Sequence, residues 1–193
     1  MPLTTSGKVK LALTGFHGSG KTTAALELCS WLKKKSITAN LVSGSARSSH
    51  GLLLRDFSLS MHLEVVALQI VSEIRSMRFS QFTICDRSLL DFLAYGVSRS
   101  LPNADGSDIF QGLMEFSASY LRTYSKILIL RGTYGNSDND PNRTAPDVSI
   151  ECYEAALDYL IDRLQIEDIV VKIPCQNGLS EAKLAAKSLL NIK

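Results

Sequence analysis

Short apolar runs alternate along the chain with longer segments whose apolar residues recur every three or four positions. The runs are VKLALT at 9–14, ANLVS at 39–43, FTIC at 82–85, KILIL at 126–130 and DIVVKI at 168–173. Apolar runs of this length, rich in branched side chains, predict buried strands. The sequence therefore predicts five strands, each separated from the next by enough residues for a helix.

Helical periodicity marks the intervening segments, because residues three and four positions apart lie on one side of a helix. The predicted helices carry Ala25, Leu28, Cys29 and Leu32; Leu63, Val66, Ala67, Ile70 and Ile74 over about 61–78; segments at about 88–95 and 108–123; Ile150, Tyr153, Leu157, Leu160, Ile161 and Leu164; and Ala182, Ala185, Ala186 and Leu189 after a cap at Ser180. Strands alternating with helices predict an α/β fold, a parallel sheet covered on both faces.

Size and composition narrow the class of protein. The length fits one domain, which we expect to span residues 1–193, and the apolar share of 45% is that of a soluble globular protein. A net charge of +2 is too weak to predict a nucleic-acid or anionic membrane partner. No apolar run reaches the roughly 18 residues of a membrane span, and the N-terminus lacks a signal core. We therefore expect a cytoplasmic protein.

Residues Gly15 to Thr22, GFHGSGKT, match the phosphate-loop pattern GxxxxGK[ST] at every fixed position. They follow a predicted strand and begin a predicted helix, the context in which this pattern binds phosphate. Glycines let successive backbone N–H groups face one oxyanion, and the helix N-terminus adds its positive dipole end. ATP is the expected cofactor, with binding residues Gly15, His17, Gly18, Ser19, Gly20, Lys21, Thr22 and Thr23. Two alternatives stay open for His17: it contacts phosphate or substrate, or it is a loop residue without a binding role.

Catalysis would need a cation beside the phosphates. Lys21 is expected to neutralise the β- and γ-phosphates, and Thr22 and Asp86 are the expected Mg²⁺ ligands. Asp86 ends the third strand in ICDRS, and Arg87 follows where many hydrolytic ATPases have a glutamate that activates water. A guanidinium stabilises a transferring phosphoryl group or orients an acceptor, so Arg87 favours transfer, unless Asp86 and Arg87 form a simple surface pair. The Asn-Lys-x-Asp motif of GTPases does not occur.

The segment Gly132 to Asp147, GTYGNSDNDPNRTAPD, has no period and is rich in Asn, Asp, Gly and Pro. A long structureless loop within a compact domain is usually a functional lid or is disordered. We predict a lid over 132–147.

Together, the phosphate loop, a helix bearing Gln69, the sequence ICDRSLLDFLAY and an Asp-x-x-Arg in a late loop resemble the small P-loop kinases. Within this group the chain is similar to the AAA-type ATP-binding domains that resemble nicotinamide riboside kinase, and to nucleoside monophosphate and deoxynucleoside kinases. The resemblance implies a three-layer fold, with a sheet of about five strands in the adenylate-kinase-like order 2-3-1-4-5 and a mobile lid.

The resemblance also implies roles for single residues. Arg143, in DPNR, corresponds to a lid arginine that reaches the ATP phosphates, although a solvated loop arginine is the alternative. Gln69 corresponds to a glutamine that contacts the acceptor, and an exposed polar pair with Glu73 one turn later is the alternative. Asp91 and Tyr95, also one turn apart, would line the acceptor pocket or fix their helix against the lid.

One position departs from the family. Relatives commonly carry a glutamate and then an arginine after the second strand, whereas VSGSARSS keeps Arg47 and has Gly44 and Ser45 instead of the carboxylate. A phosphate acceptor needs no general base, since its oxygen is already anionic, whereas a hydroxyl acceptor could use Asp86 as its base instead. With Arg47, Arg55, Arg87 and Arg99 as candidate cations, this slightly favours a nucleotide acceptor over a nucleoside.

The sequence thus predicts an ATP- and Mg²⁺-dependent kinase of a nucleoside, nucleotide or similar small molecule, as a monomer or homodimer. The expected catalytic residues are Lys21, Asp86, Arg87 and Arg143, and the expected acceptor-binding residues are Arg47, Gln69, Arg87 and Asp91. A regulatory ATPase with a macromolecular partner and a degenerate kinase that binds ATP without turnover remain alternatives.

Overall fold

The computed structural model describes residues 7–44, 58–100, 107–134 and 148–192. The strands are β1 (Val9–Gly15), β2 (Ala39–Val42), β3 (Phe82–Asp86), β4 (Lys126–Arg131) and β5 (Val170–Pro174). The helices are α1 (Lys21–Lys34), α2 (Leu59–Phe79), α3 (Leu89–Ser98), α4 (Ser107–Leu121), α5 (Ile150–Leu164) and α6 (Gly178–Leu190). None of the helices in these ranges has the length and apolar character of a membrane span.

The five strands form one parallel sheet in the order β2-β3-β1-β4-β5, which confirms the predicted order. In the register of the central strand, Leu13 lies opposite Asp86 and Gly15 opposite Leu130. Parallel strands bring their carboxyl ends to one edge of the sheet, where ligands of open α/β folds bind. The segments that follow β1 and β3 therefore meet at this edge.

Helices cover both faces of the sheet. Leu11 and Leu13 of β1 point to the face covered by α1 and α6, where apolar side chains form one core. Ala12 points to the opposite face, where α2 to α5 enclose a second core. Because side chains alternate along a strand, Lys10 and Thr14 share the face of Ala12. The architecture is a three-layer α/β fold.

Two predicted boundaries at the end of the chain are shifted. The predicted strand 168–173 begins later, at Val170, because Glu167–Ile169 form a 3-10 turn. The prediction that Ser180 caps the last helix is wrong, since α6 begins at Gly178 after a 3-10 turn and the Ser180 hydroxyl donates to the Asn177 carbonyl within the first turn. Gly178 packs so closely on Leu130 that an added Cβ would lie 2.8 Å from that side chain.

The helix predicted over about 61–78 is confirmed as α2, but three of its five predicted apolar residues, Leu63, Ala67 and Ile74, are exposed. Leu63 and Ile74 are 36% and 41% exposed, whereas Gln69 and Glu73 are buried at 1% and 0%. The alternative in which Gln69 and Glu73 form an exposed pair is therefore excluded. Hydrophobic periodicity assigns polar residues to solvent, and it cannot detect a helix that buries a carboxylate against a lysine. Lys10 is that lysine, and its Nζ lies 2.8 Å from a Glu73 oxygen.

Candidate functional site

The phosphate loop connects β1 to α1 through backbone conformations that suit glycine. Gly18 and Gly20 have φ of 78° and 80°, in the left-handed region where other residues are strained. Space is also restricted, because a Cβ on Gly20 would lie 2.6 Å from the ring of Tyr134. Gly20 occupies the N-cap position, so α1 begins without a side-chain cap. Because the first N–H groups of a helix have no acceptor within it, a helix that begins directly after such a loop suits a phosphate site.

Lys21 lies across the inside of this loop. Its side chain is 5% exposed, and its ammonium donates to the Phe16 carbonyl at 2.6 Å and to the Ser19 hydroxyl at 3.2 Å. The loop therefore holds one positive charge at its centre. Thr23, which is also a predicted binding residue, is exposed at the beginning of α1.

Thr22 and Asp86 meet at the edge of the sheet. The Thr22 hydroxyl donates to a carboxylate oxygen of Asp86 at 2.7 Å. Both groups present oxygen, the ligand type that Mg²⁺ prefers. Within residues 7–44, 58–100, 107–134 and 148–192, no three His, Cys, Asp or Glu side chains cluster as a metal site. The pair therefore suits a cation that takes its other ligands from phosphate and water, as Mg²⁺ does beside nucleotides.

Arg87 directly follows Asp86 in the sequence. Its backbone φ of 91° is unusual for a residue with a side chain. Its N–H donates to the Leu13 carbonyl at 3.0 Å, which extends the pairing of β1 with β3. The guanidinium is 25% exposed and lies 3.4 Å from an Asp91 oxygen. Burial alone would lower the pKa of Arg87, but the nearby Tyr95 and Asp91 raise it above its ordinary value. The site thus contains a permanent second cation.

Asp91 is fully buried in the first turn of α3. One oxygen accepts from the backbone N–H of Ser88 at 3.0 Å, and the other accepts from the Gly15 N–H at 3.3 Å and from the Tyr153 hydroxyl at 2.8 Å. Burial and the charge of Asp91 raise the pKa of Tyr153, which keeps its donating proton. Asp91 therefore joins α3, the phosphate loop and α5. Its predicted contact with the acceptor stays a prediction.

His17 and Tyr95 form the side of the loop that faces α3. The His17 Nδ1 lies 3.3 Å from the Tyr95 hydroxyl, so this loop histidine contacts a predicted pocket residue. Two guanidinium groups lie near the Tyr95 ring, with Cζ of Arg99 at 5.2 Å and Cζ of Arg87 at 5.8 Å from its centre. Both distances allow attraction between a cation and an aromatic face. This side of the loop therefore carries positive charge around a tyrosine.

Tyr134 is a residue of the site that sequence reasoning missed. It follows β4, its N–H donates to the Gly18 carbonyl at 3.2 Å, and its hydroxyl donates to the Cys175 carbonyl at 2.8 Å. The tyrosine thus connects the phosphate loop to the segment after β5. Its only signal in the sequence is its place between glycines at the beginning of the predicted lid.

Three predicted cations cannot be placed. Arg47, Arg55 and Arg143 lie outside the described residues, as do positions 135–147 of the predicted lid. Their roles stay predictions. β2 ends at Val42, and the two residues that follow, Ser43 and Gly44, carry no carboxylate.

Comparison of the sequence with protein-family models and with curated proteins gives no match. Solved structures match in fold. The NadR protein in complex with NR superimposes with a TM-score of 0.71 and 15% identity, covering 97% of this chain and 52% of NadR. Deoxyadenosine kinase from M. mycoides with bound dATP has a TM-score of 0.60 and 16% identity, covering 95% of this chain and 99% of the kinase. Thymidylate kinase from Candida albicans has a TM-score of 0.61 and 13% identity, covering 96% of this chain and 93% of the kinase.

The chain therefore has the three-layer fold of P-loop nucleoside and nucleotide kinases, as its resemblance to them predicts. It spans about half the length of the NadR chains that it matches, at 52% and 51%.

Proposed function

We propose that this protein transfers the γ-phosphoryl group of ATP, in the presence of Mg²⁺, to a nucleoside, a nucleotide or a similar small acceptor. The fold that it shares with kinases of such molecules supports this class of reaction. The observation that carries the proposal lies at the end of β3. There Asp86 contacts Thr22 of the phosphate loop. The guanidinium of the next residue, Arg87, contacts the same Asp91 oxygen that accepts from the Gly15 N–H at the beginning of the loop.

In this proposal, the residues of the loop hold the donor. The N–H groups of the loop and the ammonium of Lys21 bind the phosphates, and Thr22 and Asp86 hold Mg²⁺. Held by these two oxygens, Mg²⁺ would supply positive charge that offsets part of the negative charge of the phosphates. Arg87 stabilises the charge that spreads over the phosphoryl oxygens during transfer. By resemblance alone, we assign the same task to Arg143.

Transfer is favoured over hydrolysis because a cation, Arg87, directly follows Asp86, and because Asp91, the carboxylate that contacts Arg87 in the described part of the chain, is fully engaged. Asp91 is fully buried and accepts four hydrogen bonds, from Ser88, Gly15, Tyr153 and Arg87. A carboxylate in this state has little capacity left to take a proton from water. An acceptor that brings its own nucleophilic oxygen removes this need.

We infer that the acceptor carries a phosphate group. The end of β2 lacks a carboxylate at Ser43 and Gly44, so a hydroxyl acceptor would find no base there. Arg87 and Arg99 place two positive charges against Tyr95, beside the phosphate loop. An anionic acceptor is attracted to such a surface and needs no deprotonation.

The experiment that tests the function measures ADP release from ATP and Mg²⁺ against a panel of nucleosides and nucleoside monophosphates. We expect release that depends strongly on one acceptor, and faster release with a monophosphate than with its nucleoside. Acceptor-independent hydrolysis that a macromolecule stimulates would support a regulatory ATPase instead. Binding of ATP without turnover under any condition would identify a degenerate kinase.

A further inference from the structure

A group of buried polar side chains lies on the α2 side of the sheet, away from the phosphate loop. We call it the Lys10 network, and it consists of Lys10, Gln69, Glu73, Tyr120 and Tyr124. Lys10 and Glu73 are 1% and 0% exposed. The expected mechanism uses none of these residues except Gln69, which we predict from the resemblance to contact the acceptor.

Glu73 is the centre of the network, and both of its oxygens are saturated. Oε2 accepts from Lys10 Nζ at 2.8 Å and from the Tyr120 hydroxyl at 2.9 Å. Oε1 accepts from Gln69 Nε2 at 2.8 Å and from the Tyr124 hydroxyl at 2.6 Å. Burial and the charge of Glu73 raise the pKa of both tyrosines, which therefore remain donors. The carboxylate is rigidly held, because moving it would break four hydrogen bonds in a dry environment.

Gln69 extends the network to the active-site edge of the sheet. Its Nε2 also donates to the backbone carbonyl of Arg87 at 3.3 Å. An ionised carboxylate and a peptide carbonyl can only accept, so the nitrogen of the amide, and not its oxygen, faces these two partners. Glu73 therefore fixes the orientation in which Gln69 meets Arg87.

Arg87 needs such support because its backbone lies in a strained region, with φ of 91°. Strained residues persist only when the surrounding structure holds them, and they concentrate at functional sites. Two contacts hold this residue from opposite sides: its N–H donates to the Leu13 carbonyl at 3.0 Å, and its carbonyl accepts from Gln69. The conformation matters for the proposed function, since Asp86 contacts Thr22 of the phosphate loop and Arg87, the next residue, contacts Asp91.

We propose that Gln69, oriented by Glu73 and Lys10, is a positioning residue that holds the Arg87 backbone in its active conformation. This inference rests on the proposed function, because it gives the network a task in phosphoryl transfer. The proposal also gives a reason for the buried ion pair between Lys10 and Glu73. A buried ion pair adds little stability compared with well-packed apolar residues, so specificity of structure is the better account of its presence.

The test compares two variants that each remove one hydrogen bond to Glu73. Gln69→Met keeps the length of the side chain and removes the donor to Arg87. Tyr120→Phe, the matched control, removes a donor to Glu73 and leaves the link between Gln69 and Arg87 intact. Kinetics are measured with ATP, Mg²⁺ and the acceptor that the wild-type protein uses in the nucleoside and nucleotide panel.

We expect Gln69→Met to lower kcat by between about tenfold and a hundredfold, because small displacements of catalytic groups have effects of this size. The KM values for ATP and the acceptor should stay within about twofold, and Tyr120→Phe should retain kcat. A wild-type kcat in Gln69→Met, or a rise in the acceptor KM alone, would overturn the inference, the latter because it indicates direct acceptor contact. Equal losses of kcat in both variants would overturn it as well, since they indicate a merely structural role.

Gln69→Asn provides a second variant, because it keeps the amide but withdraws the donating nitrogen by one methylene group from the Arg87 carbonyl and from Glu73. The same loss of kcat is expected. If neither Gln69 variant folds while Tyr120→Phe does, the inference is overturned, because Gln69 would then be a requirement of the core.

A readout without turnover separates this inference from the proposed function. Hydrogen exchange at the backbone amides of Arg87 and Ser88 should become about tenfold faster in Gln69→Met than in the wild type, relative to the amides of β3, and stay unchanged in Tyr120→Phe. Unchanged exchange in Gln69→Met would overturn the inference. A wild-type protein that phosphorylates no acceptor in the panel would contradict the proposed function and would leave this exchange result to decide the positioning.

Discussion

The Thr22 hydroxyl donates a 2.7 Å hydrogen bond to the Asp86 carboxylate and thereby joins the beginning of α1 to the end of β3. The register of the sheet makes this contact possible, because Asp86 lies opposite Leu13, two residues before the phosphate loop begins. The Thr22 hydroxyl oxygen and the Asp86 carboxylate oxygen that form this hydrogen bond are also the proposed ligands of Mg²⁺. Metal binding and the contact between α1 and β3 are therefore linked.

We predict that Thr22→Val and Asp86→Asn each weaken the apparent affinity for Mg²⁺ by roughly tenfold or more, because each removes an oxygen ligand or its partner. The measurement is ATP turnover as a function of Mg²⁺ concentration at saturating ATP. Ser30→Ala, which removes an exposed hydroxyl elsewhere on α1, is the control and should follow the wild-type curve. Identical Mg²⁺ dependence in all four proteins would exclude Thr22 and Asp86 as ligands.

The glycines allow a prediction about the loop. Gly20→Ala should abolish most ATP binding, because φ of 80° is unfavourable for alanine and the new Cβ would lie 2.6 Å from the Tyr134 ring. Gly112→Ala is a matched control in α4, where an added Cβ meets no atom within 4 Å. Removing a helical glycine should stabilise the protein by up to about 1 kcal/mol. Thermal unfolding with and without ATP and Mg²⁺ measures both effects, and a wild-type ATP shift in Gly20→Ala would refute the first.

A local pattern was enough to predict the phosphate loop and most of the sheet. The loop is eight consecutive residues, and its chemistry follows from glycine, lysine and threonine at fixed spacing. The partners of Asp91 could not be predicted in this way, because Gly15 and Tyr153 are 76 and 62 positions away in the chain.

The α2 face shows a second limit. Its buried side includes Gln69 and Glu73, which a hydrophobic pattern places in solvent. Their burial depends on partners that are distant in the sequence: Lys10, 63 residues from Glu73, and the hydroxyls of Tyr120 and Tyr124. The contacts of Tyr134 and the strained backbone of Arg87 could not be predicted either, because ring contacts and backbone dihedral angles do not change the composition or the hydrophobic periodicity of a sequence.

The lid arginine can be tested by its effect on turnover. Arg143→Ala should lower kcat by roughly a hundredfold and change the KM for ATP little, because its proposed contact strengthens as charge develops during transfer. Arg163→Ala, an exposed arginine of α5, is the control and should behave as the wild type. An unchanged kcat in Arg143→Ala would remove this residue from the mechanism.

The surface beside β4 offers a prediction about pH. Partial burial would raise the pKa of Asp158, but the hydrogen bond from Lys172 at 2.7 Å and the nearby Arg131 lower it below its ordinary value of 3.8. A lowered pKa in the folded state means that the ion pair stabilises the protein above about pH 4 and loses this effect as the pH falls further.

Asp158→Asn should therefore reduce the free energy of unfolding at pH 7 by less than about 1 kcal/mol, since the side chain is half exposed. The difference from the wild type should vanish as the pH approaches 3. Urea unfolding at several pH values between 3 and 7 measures it. A difference that grows on acidification would contradict the sign of the proposed interaction.

The fate of the γ-phosphate is the most direct test of the whole account. The purified protein is incubated with ATP labelled at the γ-phosphate, Mg²⁺ and each member of the acceptor panel, with Lys21→Ala as the inactive reference, and the labelled products are separated. The account predicts that the label becomes covalently attached to one small acceptor, as a phosphoanhydride when that acceptor is a monophosphate, and that this product is absent with Lys21→Ala. Label recovered only as inorganic phosphate, at a rate independent of every acceptor, would contradict it.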